Sequence, residues 1–157
     1  MNRISRCVLA LVLTGSAHMA SASDSMSLAC GNSKILVFPA RVRSDTKQVL
    51  QNFLVRIVQS NSNQTFSFRA ENDFLRVRCE TGRKGESLLL VNHYCVGSGC
   101  SEANFSIIDL KTFKMLLPAD ARAKGNQAAA EGIIGKKIKP FNCGDPKDGH
   151  CYKANLE

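Results

Sequence analysis

Tryptophan is absent from this chain, and only two tyrosines and eight phenylalanines supply its aromatic surface. So few rings argue against nucleic-acid binding, and no recognised module for it accompanies them. No stretch approaches the roughly 20 consecutive apolar residues that a membrane-spanning helix needs. Also missing are a glycine-rich phosphate loop, an H-E-x-x-H zinc helix and an EF-hand pattern. No repeat of roughly 20 to 50 residues is visible, which removes solenoids and propellers from consideration. No cofactor is expected, and no insertion into a membrane.

What is present begins with an address. Arg3 and Arg6 give a positive start, Cys7 to Leu13 form a short apolar run, and Ala20-Ser21-Ala22 is a small-residue cleavage site. Residues 1–22 therefore read as an export signal, and 23–157 as one globular domain. Removing 22 of 157 residues leaves 135, enough for one modest core. Ser27-Leu28-Ala29-Cys30 has Ser27 where a lipoprotein site wants leucine or a similar residue and lies far from the apolar run, so a lipid anchor is not expected. The expected location is periplasmic or secreted.

Removing the leader takes away one of seven cysteines and leaves Cys30, Cys79, Cys95, Cys100, Cys143 and Cys151. An even number in an exported chain points to disulfides. Spacing favours Cys95 with Cys100 and Cys143 with Cys151, each pair flanking a glycine-containing bend, which leaves Cys30 with Cys79. Zinc is the alternative use, with Cys95, Cys100, Cys143 and Cys151 joined by His93 or His150. The C-x4-C spacing is at the edge of what zinc knuckles use and C-x7-C is outside it, so disulfides are preferred.

The leader also takes two arginines. Nineteen basic residues then face thirteen acidic ones, a net charge of +6 where the whole chain has +8. That balance favours an acidic protein partner or an envelope polyanion. Arg69, Arg76 and Arg78 are expected to share the outer face of two adjacent strands, with Arg83 and Lys84 at their turn. Lys136, Lys137 and Lys139 form a second cluster. Most such charges only solvate a sheet face.

Periodicity gives an α+β fold, mainly antiparallel sheet of about six to seven strands. "SLACGNSKILVF" reads as strand, turn and strand. From Thr46 to Gln59 the spacing predicts an amphipathic helix: Val49, Leu50, Phe53, Leu54, Ile57 and Val58 form its apolar stripe, opposite Lys47, Gln48, Gln51, Asn52 and Arg56. Ser44 or Asp45 would cap it. Two-residue alternation follows in 65–70 and 74–79. "SLLLVNHYC" reads as a strand buried on both faces, and "NFSIIDLKTFKMLLP" as a hairpin stopped by Pro118. "NQAAAEGIIG" predicts a short C-terminal helix.

The chemistry-bearing candidates cluster around "HYCVGSGC" at 93–100. Ser98 or Ser101 with His93 and Asp109 makes a possible hydrolase set, but "VGSGCS" is not G-x-S-x-G and no strand-to-helix elbow carries it. A structural His93 at a strand end is the preferred reading. With six cysteines paired, no thiol remains as a nucleophile. Gly97, Ser98 and Gly99, with Arg76 and Arg78, are the candidate binding residues. The motifs at Asn63 and Asn104 fit the N-x-S/T glycosylation pattern, relevant only to a eukaryotic secretory route.

The stretch "YCVGSGCSEANFSIIDLKTFKMLLP" resembles a pattern in small exported proteins of Gram-negative bacteria, many without an assigned activity. Size, leader and disulfides are similar to those of periplasmic immunity proteins, which neutralise cell-wall-attacking toxins. The resemblance implies a binding role and transfers no functional residue. Periplasmic lysozyme inhibitors differ: "GSGCSEAN" does not reproduce their S-G-x-x-Y motif, and a basic inhibitor would repel a basic lysozyme. The expected function is thus a non-enzymatic periplasmic protein that blocks an acidic partner through a disulfide-stiffened loop. The alternatives are a small hydrolase built on His93 and Asp109, and an envelope polyanion-binding module.

Overall fold

Gly31-Asn32 closes the first hairpin, with Gly31 at a φ of 57°, in the left-handed region that glycine enters at no steric cost. The strands it joins are β1 (Met26–Cys30) and β2 (Ser33–Ala40). In β2, Ile35 and Val37 are buried, while Lys34 is exposed and Leu36 and Phe38 are only partly covered, the two-residue period of a strand with one face inward. The computed structural model describes residues 25–40, 51–70, 74–93, 104–119, 124–141 and 150–153. Residues 1–22, read above as an export signal, and Cys95, Cys100 and Cys143 lie outside the described residues.

The next element corrects the helix expected over 46–59. Gln51–Gln59 is a strand, β3, paired along its length with β2 and with β4 (Ser62–Ala70). Residues 46–50 fall outside the described residues. The error has a physical source. Phe53, Val55 and Ile57 point into the core, and the opposite face carries Leu54 and Val58 rather than uniformly polar residues. Those two outer apolar residues completed a false helical stripe, whereas β-branched Val55, Ile57 and Val58 favour a pleated strand. Ser60 and Asn61 form the two-residue turn between β3 and β4.

β1 to β4 form a meander in sequence order. A second meander follows with β5 (Phe74–Thr81), β6 (Ser87–His93), β7 (Asn104–Asp109) and β8 (Lys114–Leu117). A ninth short strand, β9 (His150–Lys153), returns to the free edge of β5, giving the order β8-β7-β6-β5-β9. Every pairing is antiparallel. One helix, α1 (Asn126–Ile134), completes the described residues, ended by Gly135 with its N–H on the Glu131 carbonyl. The described residues are therefore mainly antiparallel sheet, with more strands and one fewer helix than periodicity suggested.

The layers follow from burial on β6, which is covered on both faces, as expected for an apolar central strand. Leu89 and Val91 face the first sheet and join Ile35, Val37, Phe53, Val55, Ile57, Leu75, Val77 and Ile108 in the main core. Leu88 and Leu90 face the other way and pack with Phe105, Ile107, Ala130 and Ile134 beneath the helix. The architecture is sheet on sheet with a helix over the second sheet. The Cys30–Cys79 disulfide joins β1 to β5, and so one sheet to the other. This is the pairing that spacing left for these two cysteines.

Candidate functional site

His93 ends β6 on its inward face. Its ring lies edge-on to Phe68 of the first sheet, with centroids 4.9 Å apart. Nδ1 lies 3.1 Å from the Arg69 carbonyl on β4, and Nε2 lies 3.1 Å from the Ser106 hydroxyl on β7. A carbonyl only accepts, so Nδ1 carries the proton and donates it, and Nε2 accepts from the Ser106 O–H. Burial, only partly opposed by the Arg69 hydrogen bond, holds the imidazole below its ordinary value of 6.5. The ring is neutral and has both nitrogens occupied.

A serine hydroxyl on a histidine nitrogen that is oriented by a third group has the local form of a nucleophile and base. Access is what it lacks. Ser106 is wholly buried and His93 is 4% exposed. Sequence reasoning nominated Ser98 and Ser101 and missed Ser106. A signal existed, since pairing Asn104 opposite His93 puts Ser106 one inward position further along the same face.

Asp109 does not join this group. In the β6–β7 register His93 faces Asn104 while Asp109 faces Leu88. Five residues of strand, about 17 Å, separate the two levels. Asp109 instead shapes the β7–β8 turn, accepting from the Lys111 amide at 2.8 Å and the Thr112 hydroxyl at 2.8 Å. Burial works to raise its carboxyl, but these hydrogen bonds, the Thr112 amide and the charge of Lys111 together hold it below the usual carboxylate range. The hydrolase geometry built on His93 and Asp109 is thus not assembled.

The arginines occupy different places from those expected. Arg69 is exposed on β4 of the first sheet, whereas Arg76 and Arg78 belong to β5 of the second, so the three do not share adjacent strands. Arg76 is half-buried, opposite Asn92. Arg78 is 8% exposed and covered by the chain that leaves α1. Its Nε donates to Glu80 Oε1 at 2.7 Å, its Nη1 donates to the Lys139 carbonyl at 3.1 Å, and its guanidinium stacks 4.5 Å from the centre of the Phe141 ring. Lys136 takes the other Glu80 oxygen at 2.8 Å. Glu131 fastens the same segment: hydrogen bonds from Lys137, Gln127 and the Ile138 amide hold its carboxyl below the usual range. Arg78 therefore clamps the 136–141 segment onto β5 instead of facing solvent.

One more polar contact positions this layer. Asn126, the first residue of α1, accepts from the Phe105 N–H at 2.6 Å and donates to the Phe105 carbonyl at 3.0 Å. Its amide continues the β7 hydrogen-bonding edge past the end of β8, as a backbone unit would.

Gly97, Ser98 and Gly99 lie outside the described residues, as do the side chains of Cys151 and His150. Among the described residues, no three His, Cys, Asp or Glu side chains gather closely enough to hold a metal ion. No helix among them is long and apolar enough to cross a membrane. Of the two glycosylation motifs, Asn63 is exposed beside the β3–β4 turn and Asn104 is buried. No family model, curated protein or solved structure matches this chain.

Proposed function

We propose that this chain is an exported, non-enzymatic binding protein that blocks another protein, of the kind that protects a Gram-negative cell from a toxin attacking its wall. The observation carrying this reading is the enclosure of His93: the one described histidine side chain spends Nδ1 on the Arg69 carbonyl of the facing sheet and Nε2 on Ser106 of the neighbouring strand. The Cys30–Cys79 bridge supports it too, because a sandwich crosslinked between its sheets holds its surfaces rigid, and rigid surfaces lose less entropy on docking. The "CVGSGC" bend, with Cys95 and Cys100 closed on each other, would extend that rigidity to the loop after β6.

The reading is tested by survival. Cells producing the chain with its leader are challenged with a panel of peptidoglycan-cleaving enzymes directed to the periplasm. Protection against one of them, lost when residues 1–22 are removed, together with a stable complex on size exclusion, supports the proposal. Absence of both protection and complex across the panel overturns it. Hydrolysis of model ester or amide substrates that disappears in Ser106→Ala would instead favour the hydrolase reading.

A further inference from the structure

The outer face of the first sheet combines two features that the core does not explain. Leu36 and Phe38 on β2 and Leu54 and Val58 on β3 are half-buried, and none packs against either core cluster. They are contiguous: Phe38 is paired directly with Leu54, Leu36 faces Arg56, and Lys34 faces Val58. Direct cross-strand neighbours on one face lie about 5 Å apart, so four apolar and two basic side chains form one patch. Ser67 and Thr65 on β4 border it, and Arg69 lies one level beyond, at the end of β4.

The charge on this sheet has one sign. Lys34, Arg56 and Arg69 are its charged residues among those described, and none forms an ion pair with a described carboxylate. The described carboxylates, Glu80, Glu86, Asp109 and Glu131, all belong to the second sheet, its turns or the helix. An apolar centre with a charged margin is the anatomy of a protein-binding surface. A second copy of the same face would set cation against cation, which disfavours self-association through it.

We infer that the outer face of β1–β4, centred on Leu36, Phe38, Leu54 and Val58, is the docking surface for an acidic protein. The inference rests on the binding function proposed above and names a surface for it. Lys34, Arg56 and Arg69 steer an acidic partner, and the apolar residues supply the area that is dried on contact. The hydroxyl and amide side chains of β4 offer hydrogen bonds at the margin.

The test is site-specific photo-crosslinking in the periplasm of cells producing the whole chain. A benzophenone amino acid replaces Leu36 or Leu54 on the face, exposed Lys111 in the β7–β8 turn, or Ser98 of the glycine-rich stretch. The expected result is an adduct from positions 36 and 54, absent from 111, with one protein that mass spectrometry identifies as carrying net negative charge. Adding Arg56→Glu lowers adduct yield roughly tenfold while leaving the melting temperature unchanged, because Arg56 is exposed. Leu36→Thr with Leu54→Thr keeps strand propensity and lowers the affinity of the identified partner. An adduct from 98 alone leaves the binding function standing and overturns this surface. A phospholipid adduct, equal adducts from all positions, or insensitivity to Arg56→Glu also overturns it. No adduct from any position overturns the surface and the binding function together.

Discussion

The imidazole of His93 on β6 donates across the sandwich to the Arg69 carbonyl on β4, 3.1 Å away, so one side chain of the second sheet satisfies the backbone of the first. The same ring accepts from Ser106 and leans on Phe68, which makes it a junction of three strands. Its protonation state is thereby tied to the packing of the two sheets.

Stability is expected to fall in mild acid because of this histidine. In the unfolded chain the group takes up a proton near 6.5, while burial holds the native imidazole below that value. The unfolded state thus binds more protons once the pH drops under the unfolded value. The contribution of neutral His93 is complete above about 6.5 and is lost progressively as the pH falls toward the lowered native value. Urea unfolding at about pH 7.5 and about pH 5 should show a larger loss for the parent than for His93→Gln. Equal losses would place the acid sensitivity in other groups.

Removing the crosslink should weaken the whole domain. Cys30 and Cys79 are 49 residues apart in sequence, and closing a loop of that size is worth about 4 kcal/mol in the chain-entropy model. The double variant Cys30→Ala, Cys79→Ala should lower the unfolding free energy extrapolated from urea titration by about that amount, read as a lower midpoint at similar slope. Cys95→Ser with Cys100→Ser should cost about 2 kcal/mol or less if those two are paired, since a short loop closes at little entropic cost. Thiol titration of the denatured, unreduced protein gives the independent count.

Arg78→Ala should cost about 2–3 kcal/mol, since Glu80 would keep Lys136 but lose its buried partner and the 136–141 segment would lose its clamp. Replacing Arg78 and Glu80 together with Met and Leu should cost less than Arg78→Ala alone. Arg78→Lys should not restore stability, because an ammonium does not reproduce the planar stacking on Phe141 along with two directed donors. A double-mutant cycle on thermal unfolding measures all three.

Asn126→Ala leaves the Phe105 N–H and carbonyl buried without their side-chain partner and should cost about 2 kcal/mol. Asn126→Asp should be worse at neutral pH than in acid. A carboxylate still accepts from the N–H but faces the carbonyl without a donor, and protonation restores one. The sign of that pH difference is what calorimetry would check.

Much of this fold was legible in residues whose period admits one reading. In β6 the unbroken Leu88-Leu89-Leu90-Val91 run is short, preceded by a turn, and buried on both sides. The β7–β8 hairpin and α1 likewise fall where turn residues and alanines put them. β3 was not legible, because Leu54 and Val58 on its outer face mimic a helical stripe when seen in one dimension. The arginine clamp was hidden for a related reason: alternation places Arg76 and Arg78 on one face, but only the return of Phe141 decides whether that face is wet. Ser106 was overlooked because a polar residue in an apolar strand reads as a solvent position until its partner strand is known.

Each meander is contiguous in sequence, β1 to β4 and β5 to β8, with β9 alone reaching back from a distance. Most pairing is therefore between neighbours, which keeps loop-closure entropy small and lets each half gather early in folding. The same arrangement makes the halves exchangeable. Two chains whose sheets form before the sandwich closes can trade a meander, each half finding its complement on the other chain. A sulfur bridge set between the halves would then record which chain each half came from, intramolecular in the monomer and intermolecular in the exchanged pair.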